Sequence, residues 1–169
     1  PSIGIAVAPR DGADPATLLK NADAAMYRAK EAGRNNAQMY TPDLNAQANE
    51  WLDLESDLAV AVERDQLVLH YQPKVDLDSG AIVGVEALLR WQHPRLGLLG
   101  PDAFVPLAEE SGLILPVGRW VLEQACAQAV AWQQAGLPPF LMAVNVSTPQ
   151  VLHEPLEDVI AQVLRASGL

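Results

Sequence analysis

VGVEALLRWQHP, residues 83–94, is the stretch on which the reading of this chain turns. Together with Ala81 and Ile82 it forms an apolar run rich in Val and Leu, which reads as a strand that expects burial. Yet Glu86 and Arg90 sit inside it. Taking an ionised group out of water is costly unless the group is paired. If the strand runs as far as Arg90, both side chains fall on the same face. Spacing then leaves two readings open. The two charges pair with each other, or each serves a ligand at the strand end.

The neighbouring segments extend the pattern. QLVLHYQPKVDL, residues 66–77, is strand-like and ends near Asp78-Ser79-Gly80, so with residues 81–89 it predicts a hairpin. Downstream, a helix is expected from Pro101 to Ser111 with Gly112 as its stop, and a longer one from Pro116 to Ala135 closed by Gly136. FLMAVNVS is an apolar strand that breaks at Asn145, and Pro155 to Ala166 is a further helix. Helix, strand, helix at this spacing predicts an α/β unit with parallel strands, for which a barrel and an open sheet both fit. His153 is placed in a polar loop at a helix start.

Upstream, Ser2 to Ala8 alternates as a strand, and Asp11-Gly12 marks a turn. Asp14-Pro15 then opens a helix that ends at Gly33, followed by a short strand in RNNAQMY. TPDLNAQAN is polar and is the expected boundary. Beyond it, Trp51, Leu54, Leu58, Ala61 and Val62 recur at helical steps. The expected organisation is a first unit over 1–40, a linker and the start of a connecting helix over 41–53, and a second unit over 54–169.

Bulk properties narrow the function. Half of the 169 residues are hydrophobic, so a packed core is expected and disorder is not. The formal net charge of −10 argues against wrapping a nucleic-acid polymer, which needs a basic face. A small anionic ligand held by a few local groups remains compatible. The lone Cys126 excludes a disulfide framework and reads as core filler. No apolar run reaches the length of a membrane span. The chain opens on Pro1 inside a strand-like run and stops at Leu169 just past a helix, so a piece of a longer protein is expected.

Three strands of the second unit end in polar groups: Gln72, Glu86 with Arg90, and Asn145 with Ser147. In parallel α/β folds, sites are built at the carboxyl ends of strands. A carboxylate and an amide carbonyl offer hard oxygen ligands for Mg²⁺, Mn²⁺ or Ca²⁺, and an arginine clamps phosphate oxygens. His70 and His93 each lack a second histidine at metal-ligand spacing and read as structural. Trp91, Trp120 and Trp132 read as core or interface.

YQPKVDLDSGAIVGVEALLRWQHPRLGLLGPDAFVPLAEESGLI closely resembles the start of an EAL domain, named for the residues at Glu86, Ala87 and Leu88. WVLEQACAQAVAWQQAG and AVNVSTPQVL continue the resemblance in order. SIGIAVAPRDGADPATLLKNADAAMYRAKEAGRNNAQMY resembles the C-terminal part of a GGDEF domain, the diguanylate cyclase fold. The fold so implied is α/β: a truncated TIM-like (EAL) barrel whose first strand is antiparallel, preceded by a C-terminal fragment of an α/β, nucleotide-cyclase-like GGDEF domain.

The resemblance implies a cyclic di-GMP phosphodiesterase that uses Mg²⁺ or Mn²⁺ to produce linear pGpG in bacterial second-messenger signalling. The alternative is a sensor that binds cyclic di-GMP without hydrolysing it. By the same resemblance Glu86 and Asn145 are metal ligands, and Gln72 and Arg90 contact the dinucleotide. Lys30 and Arg34 match positions that contact nucleotide phosphates in GGDEF domains. The family's remaining metal carboxylates and its lysine fall beyond Leu169, and the GGDEF signature falls before Pro1. Neither site is therefore expected to be complete here, and Glu86 and Arg90 are expected to fall back on each other. A cytoplasmic setting and a homodimer through the EAL domain are further implications.

Overall fold

A computed structural model describes residues 1–169, with the side chains of 31 and 45–49 outside the described set. The chain divides into two compact units, Pro1–Leu54 and Glu55–Leu169.

In the first unit, β1 (Ser2–Ile5) and β2 (Asn36–Met39) pair in parallel, with Ser2 opposite Asn36 and Ile5 opposite Met39. The crossover between them is α1 (Pro15–Glu31). Asp14 caps α1 by accepting from the Thr17 N–H at 3.0 Å, and Pro15 supplies a preset φ at its first turn. β1 is shorter than the expected strand to Ala8, because the Val7 N–H is taken at 2.8 Å by Asp11 Oδ2, which turns the chain. Gly4 is needed where it stands: a Cβ there would run into the Ala22 carbonyl and the Met26 backbone of α1.

The stretch 41–53, expected as a linker and the start of a connecting helix, is already helical from Asp43. α2 runs unbroken from Asp43 to Ala59. Polarity alone does not end a helix, and this stretch has neither glycine nor an internal proline; Pro42 stands just ahead of the first turn, where it is tolerated. The side chains of 45–49 lie outside the described residues.

The second unit is built on a hairpin. β3 (Leu67–Val75) and β4 (Ile82–His93) are antiparallel, with Leu67 opposite Trp91 and Gln72 opposite Glu86. The turn closes as expected: Asp76 Oδ1 accepts from the Ser79 N–H at 2.8 Å, and Gly80 takes φ 71°. A short strand absent from the sequence reading, β5 (Gly97–Leu99), folds back antiparallel on the end of β4. α3 (Pro101–Ser111) and α4 (Ile114–Gln134) follow. β6 (Leu141–Val144) then pairs with β4 in parallel, setting Ala143 opposite Glu86. The four strands form an open sheet with no closed barrel among the described residues.

One face of β4 is packed. Ala87, Trp91 and His93 are buried, as are Phe104 and Leu107 of α3 and Val117 of α4. The Trp91 ring meets Phe104 edge-on with centroids 5.5 Å apart, and its Nε1–H donates to Gln66 Oε1 at 3.2 Å. The tryptophan is thus core, as its sequence setting suggests. The start of β4 is not: Ile82 and Val83 are more than half exposed, against the expectation of a buried strand.

Two short helices end the chain. α5 (Thr148–His153) was not anticipated, and His153 is its last residue rather than a loop residue before a helix. Its start is a capping box in which Gln150 Oε1 accepts from the Ser147 N–H at 3.0 Å and from the Ser147 hydroxyl at 3.1 Å. α6 (Leu156–Ser167) ends at Gly168 in the left-handed conformation.

Candidate active site

Strand geometry assembles the site on the face of the sheet opposite the packed helices. Residues directly opposite in an antiparallel pair share a face, and the face repeats every second residue. Gln72 opposite Glu86 therefore puts His70, Gln72 and Lys74 of β3 on one face with Glu86, Leu88 and Arg90 of β4. Ala143 sits beside Glu86 on the other flank, so Asn145, two residues further, emerges at the strand end on that same face.

Side-chain contacts confirm part of this layout. The Asn145 Nδ2–H donates to Glu86 Oε1 at 2.8 Å. The second carboxylate oxygen, Oε2, lies 3.9 Å from the Lys74 ammonium. Glu86 is about one-third exposed, so its charge is partly solvated rather than buried. Gln72 is exposed on the adjacent strand.

The expected ion pair between Glu86 and Arg90 is absent among the described residues. Arg90 instead donates from Nη1 to the Leu89 carbonyl at 2.7 Å. The reason is the rise of a strand: four residues span about 13 Å, so two side chains on one face at that spacing do not meet. Glu86 finds its partners across the sheet, in Asn145 and Lys74, and not along its own strand.

Of the residues singled out by the sequence, Gln72, Glu86, Arg90 and Asn145 share this face. His70, read as structural, is exposed on it as well. Lys74 was missed, although its place two residues after Gln72 in a strand was a usable signal. His93 does have the structural role expected of it. Its ring is buried; Nδ1 accepts from the Arg95 and Leu96 N–H groups at 3.2 Å, which leaves Nε2–H to donate to Asp57 Oδ2 at 3.1 Å. Lys30 and Arg34 belong to the first unit, in the last turn of α1 and just beyond it, where the helix dipole favours cations. Burial pushes the Cys126 thiol up, away from the thiolate a nucleophile needs.

The donor set suits a hard divalent cation. The Glu86 carboxylate and the Asn145 side-chain carbonyl offer oxygen ligands from neighbouring strands, and a half-turn of the amide exchanges Nδ2 for Oδ1. These are two of the six or more oxygens such an ion takes. No cluster of three or more His, Cys, Asp or Glu able to hold a metal occurs among the described residues.

Two family models match the chain. The EAL domain model matches residues 55–169, and the model of the diguanylate cyclase GGDEF domain matches residues 1–36. The chain is 50% identical to the bifunctional diguanylate cyclase/cyclic di-GMP phosphodiesterase MucR of Pseudomonas aeruginosa, over 99% of this chain and 24% of that protein. It is 43% identical to the cyclic di-GMP phosphodiesterase PdeR of Escherichia coli K12, over 97% of this chain and 24% of that protein. The chain thus spans about a quarter of the length of these curated relatives. Among solved structures, the MucR phosphodiesterase in complex with c-di-GMP aligns with a TM-score of 0.67 at 49% identity, covering 69% of this chain and 47% of that one. The EAL enzyme Bd1971, bound to cAMP and cyclic di-GMP, aligns at 0.65 with 26% identity, covering 93% of this chain and 42% of that one.

Proposed function

The chain belongs to the EAL domain family, whose model matches residues 55–169, and on that premise we propose that the whole protein hydrolyses cyclic di-GMP to linear pGpG. Residues 1–40 are then the end of a GGDEF domain, with Lys30 and Arg34 its candidate phosphate contacts. Residues 54–169 are the first part of the EAL domain.

The observation that carries this reading is the convergence of Glu86 and Asn145. Two oxygen-bearing side chains from adjacent strands lie 2.8 Å apart on a solvent-facing sheet surface. They are the pair we assign to a divalent cation, Mg²⁺ or Mn²⁺. Such an ion, when bound, lowers the pKa of a water and stabilises charge on phosphate oxygens. Gln72, directly across from Glu86, orients the dinucleotide by hydrogen bonding from the opposite strand. Arg90, further up the same face, binds a phosphate oxygen once its guanidinium leaves the Leu89 carbonyl. A half-buried guanidinium that trades a neutral carbonyl for an anion gains a charge-assisted hydrogen bond.

The test is Glu86→Gln in the whole protein, which keeps shape and removes the charge. Hydrolysis of cyclic di-GMP with Mg²⁺ is expected to fall by roughly a hundredfold or more, with the melting temperature nearly unchanged. Wild-type turnover in the variant would remove Glu86 from the metal site. Binding of cyclic di-GMP by the wild-type protein with no hydrolysis in Mg²⁺ or Mn²⁺ would mark a sensor instead.

A further inference from the structure

The functional reading leaves Lys74 without a task, although it is the cation nearest the site's central carboxylate among the described residues. It lies on β3 opposite Gly84, the last regular pairing before a register shift at Val75. Gly84 is buried and has no side chain, and the Leu141 carbonyl lies 2.7 Å from where its Cβ would stand, so the residue directly opposite offers the lysine no side-chain partner. The lysine therefore leans diagonally to Glu86, two residues along, and sets its ammonium 3.9 Å from Oε2. Diagonal neighbours across a strand pair are within reach of long side chains.

We infer that Lys74 is a resident counter-ion of Glu86, positioning its carboxylate and weakening the site's hold on a divalent cation until a phosphate-bearing ligand arrives. This inference rests on the assignment of Glu86 as a metal ligand.

Charge sets this role. Both oxygens of Glu86 are already engaged, Oε1 by the Asn145 amide and Oε2 by the ammonium. The Lys74 and Glu86 side chains are 43% and 32% exposed, so the pair adds little to folding stability. Its effect on a cation is larger. A divalent ion seated at Glu86 stands within a few ångströms of a fixed positive charge, and its repulsion is twice that felt by a monovalent one. Phosphate oxygens bound nearby would offset the ammonium. Cation and anionic ligand then favour each other's binding, and by linkage the preference is reciprocal.

The test is a Mn²⁺ titration of the whole protein, with free Mn²⁺ read by electron paramagnetic resonance and no dinucleotide present. Glu86→Gln is expected to weaken binding at least about tenfold, and Lys74→Met to tighten it about tenfold. Lys74→Arg, which keeps the charge, is expected to stay within about twofold of wild type. Lys74→Gln serves as a second neutral variant and is expected to follow Lys74→Met. If Glu86→Gln binds as wild type does, the metal assignment itself fails and the inference falls with it. If Glu86→Gln loses the ion while both neutral Lys74 variants bind as wild type or more weakly, the counter-ion role alone is overturned.

Discussion

Asp57 shows how a single side chain responds to its surroundings. It receives a hydrogen bond from Arg95 Nη2 at 2.8 Å and one from the buried His93 ring at 3.1 Å. The Arg95 hydrogen bond, with that from His93, holds the Asp57 carboxyl below the usual carboxylate range, against a smaller opposing effect of desolvation. A carboxyl depressed in the folded state contributes stability above its unfolded pKa, and that contribution is lost as pH falls through the folded value. We therefore expect Asp57→Asn to lower the melting temperature near neutrality, and the gap to wild type to close below about pH 4. Parallel melting curves from pH 7 to pH 3 would show that Asp57 acts by shape alone. At this scale the sequence was legible in part. Glu86, Asn145, Gln72 and Arg90 were expected as polar groups at strand ends; only Asn145 follows the end of its strand, while Gln72 lies inside β3 and Glu86 and Arg90 inside β4, yet the four share a face. Which of them touch was not legible. Contacts at a sheet surface run across strands, and no spacing within one strand reports them.

Among the elements, β4 organises the second unit, because its two faces do different work. One face buries Ala87, Trp91 and His93, with Trp91 against Phe104 of α3 and His93 bonded to Asp57 of α2; the other carries the partly exposed Glu86 and Arg90. Trp91 is fully buried between Phe104 and His93, with ring centroids 5.5 and 4.8 Å away. Trp91→Ala is expected to cost about 3–5 kcal/mol, read by urea denaturation; a loss below about 1 kcal/mol would mean that the core closes over the gap. Long elements with strong periodicity were foreseen within a few residues, as for α1, α3, α4 and the β3–β4 hairpin. Two short ones were not. β5 spans three residues and exists because the end of β4 offers it a pairing edge. α5 spans six, and its capping box, Ser147 with Gln150, was present in the sequence but sat in a run read as loop.

For the whole molecule, the sheet of the second unit matters most. The described strands leave it open, with β3 and β6 each presenting an unpaired side. Leu77, Ile82 and Leu141 are more than 60% exposed around it. Open edges flanked by apolar side chains favour association. The 169-residue chain by itself is expected to sediment as more than a monomer at micromolar concentration, and to show no metal-dependent turnover of cyclic di-GMP. A compact monomer, or measurable turnover, would contradict the respective expectation. No helix among the described residues is long and apolar enough to cross a membrane.

The sequence by itself determined the local units: the hairpin, the long helices, the parallel return of β6, and the polar groups carried by the strands, though β3 and β4 run on past Gln72 and Arg90. These follow from periodicity of two or 3.6 residues and from turn chemistry, which are properties of neighbours along the chain. Tertiary structure decided the rest. It carried α2 through a polar stretch read as a linker, and it exposed the start of a strand that looked buried. It also gave Glu86 its partners in Asn145 and Lys74, 59 and 12 residues away in the chain. The physical reason is the same in each case. A charge, an edge or an apolar face is satisfied by whatever packs beside it in space, and strand pairing sets that neighbour.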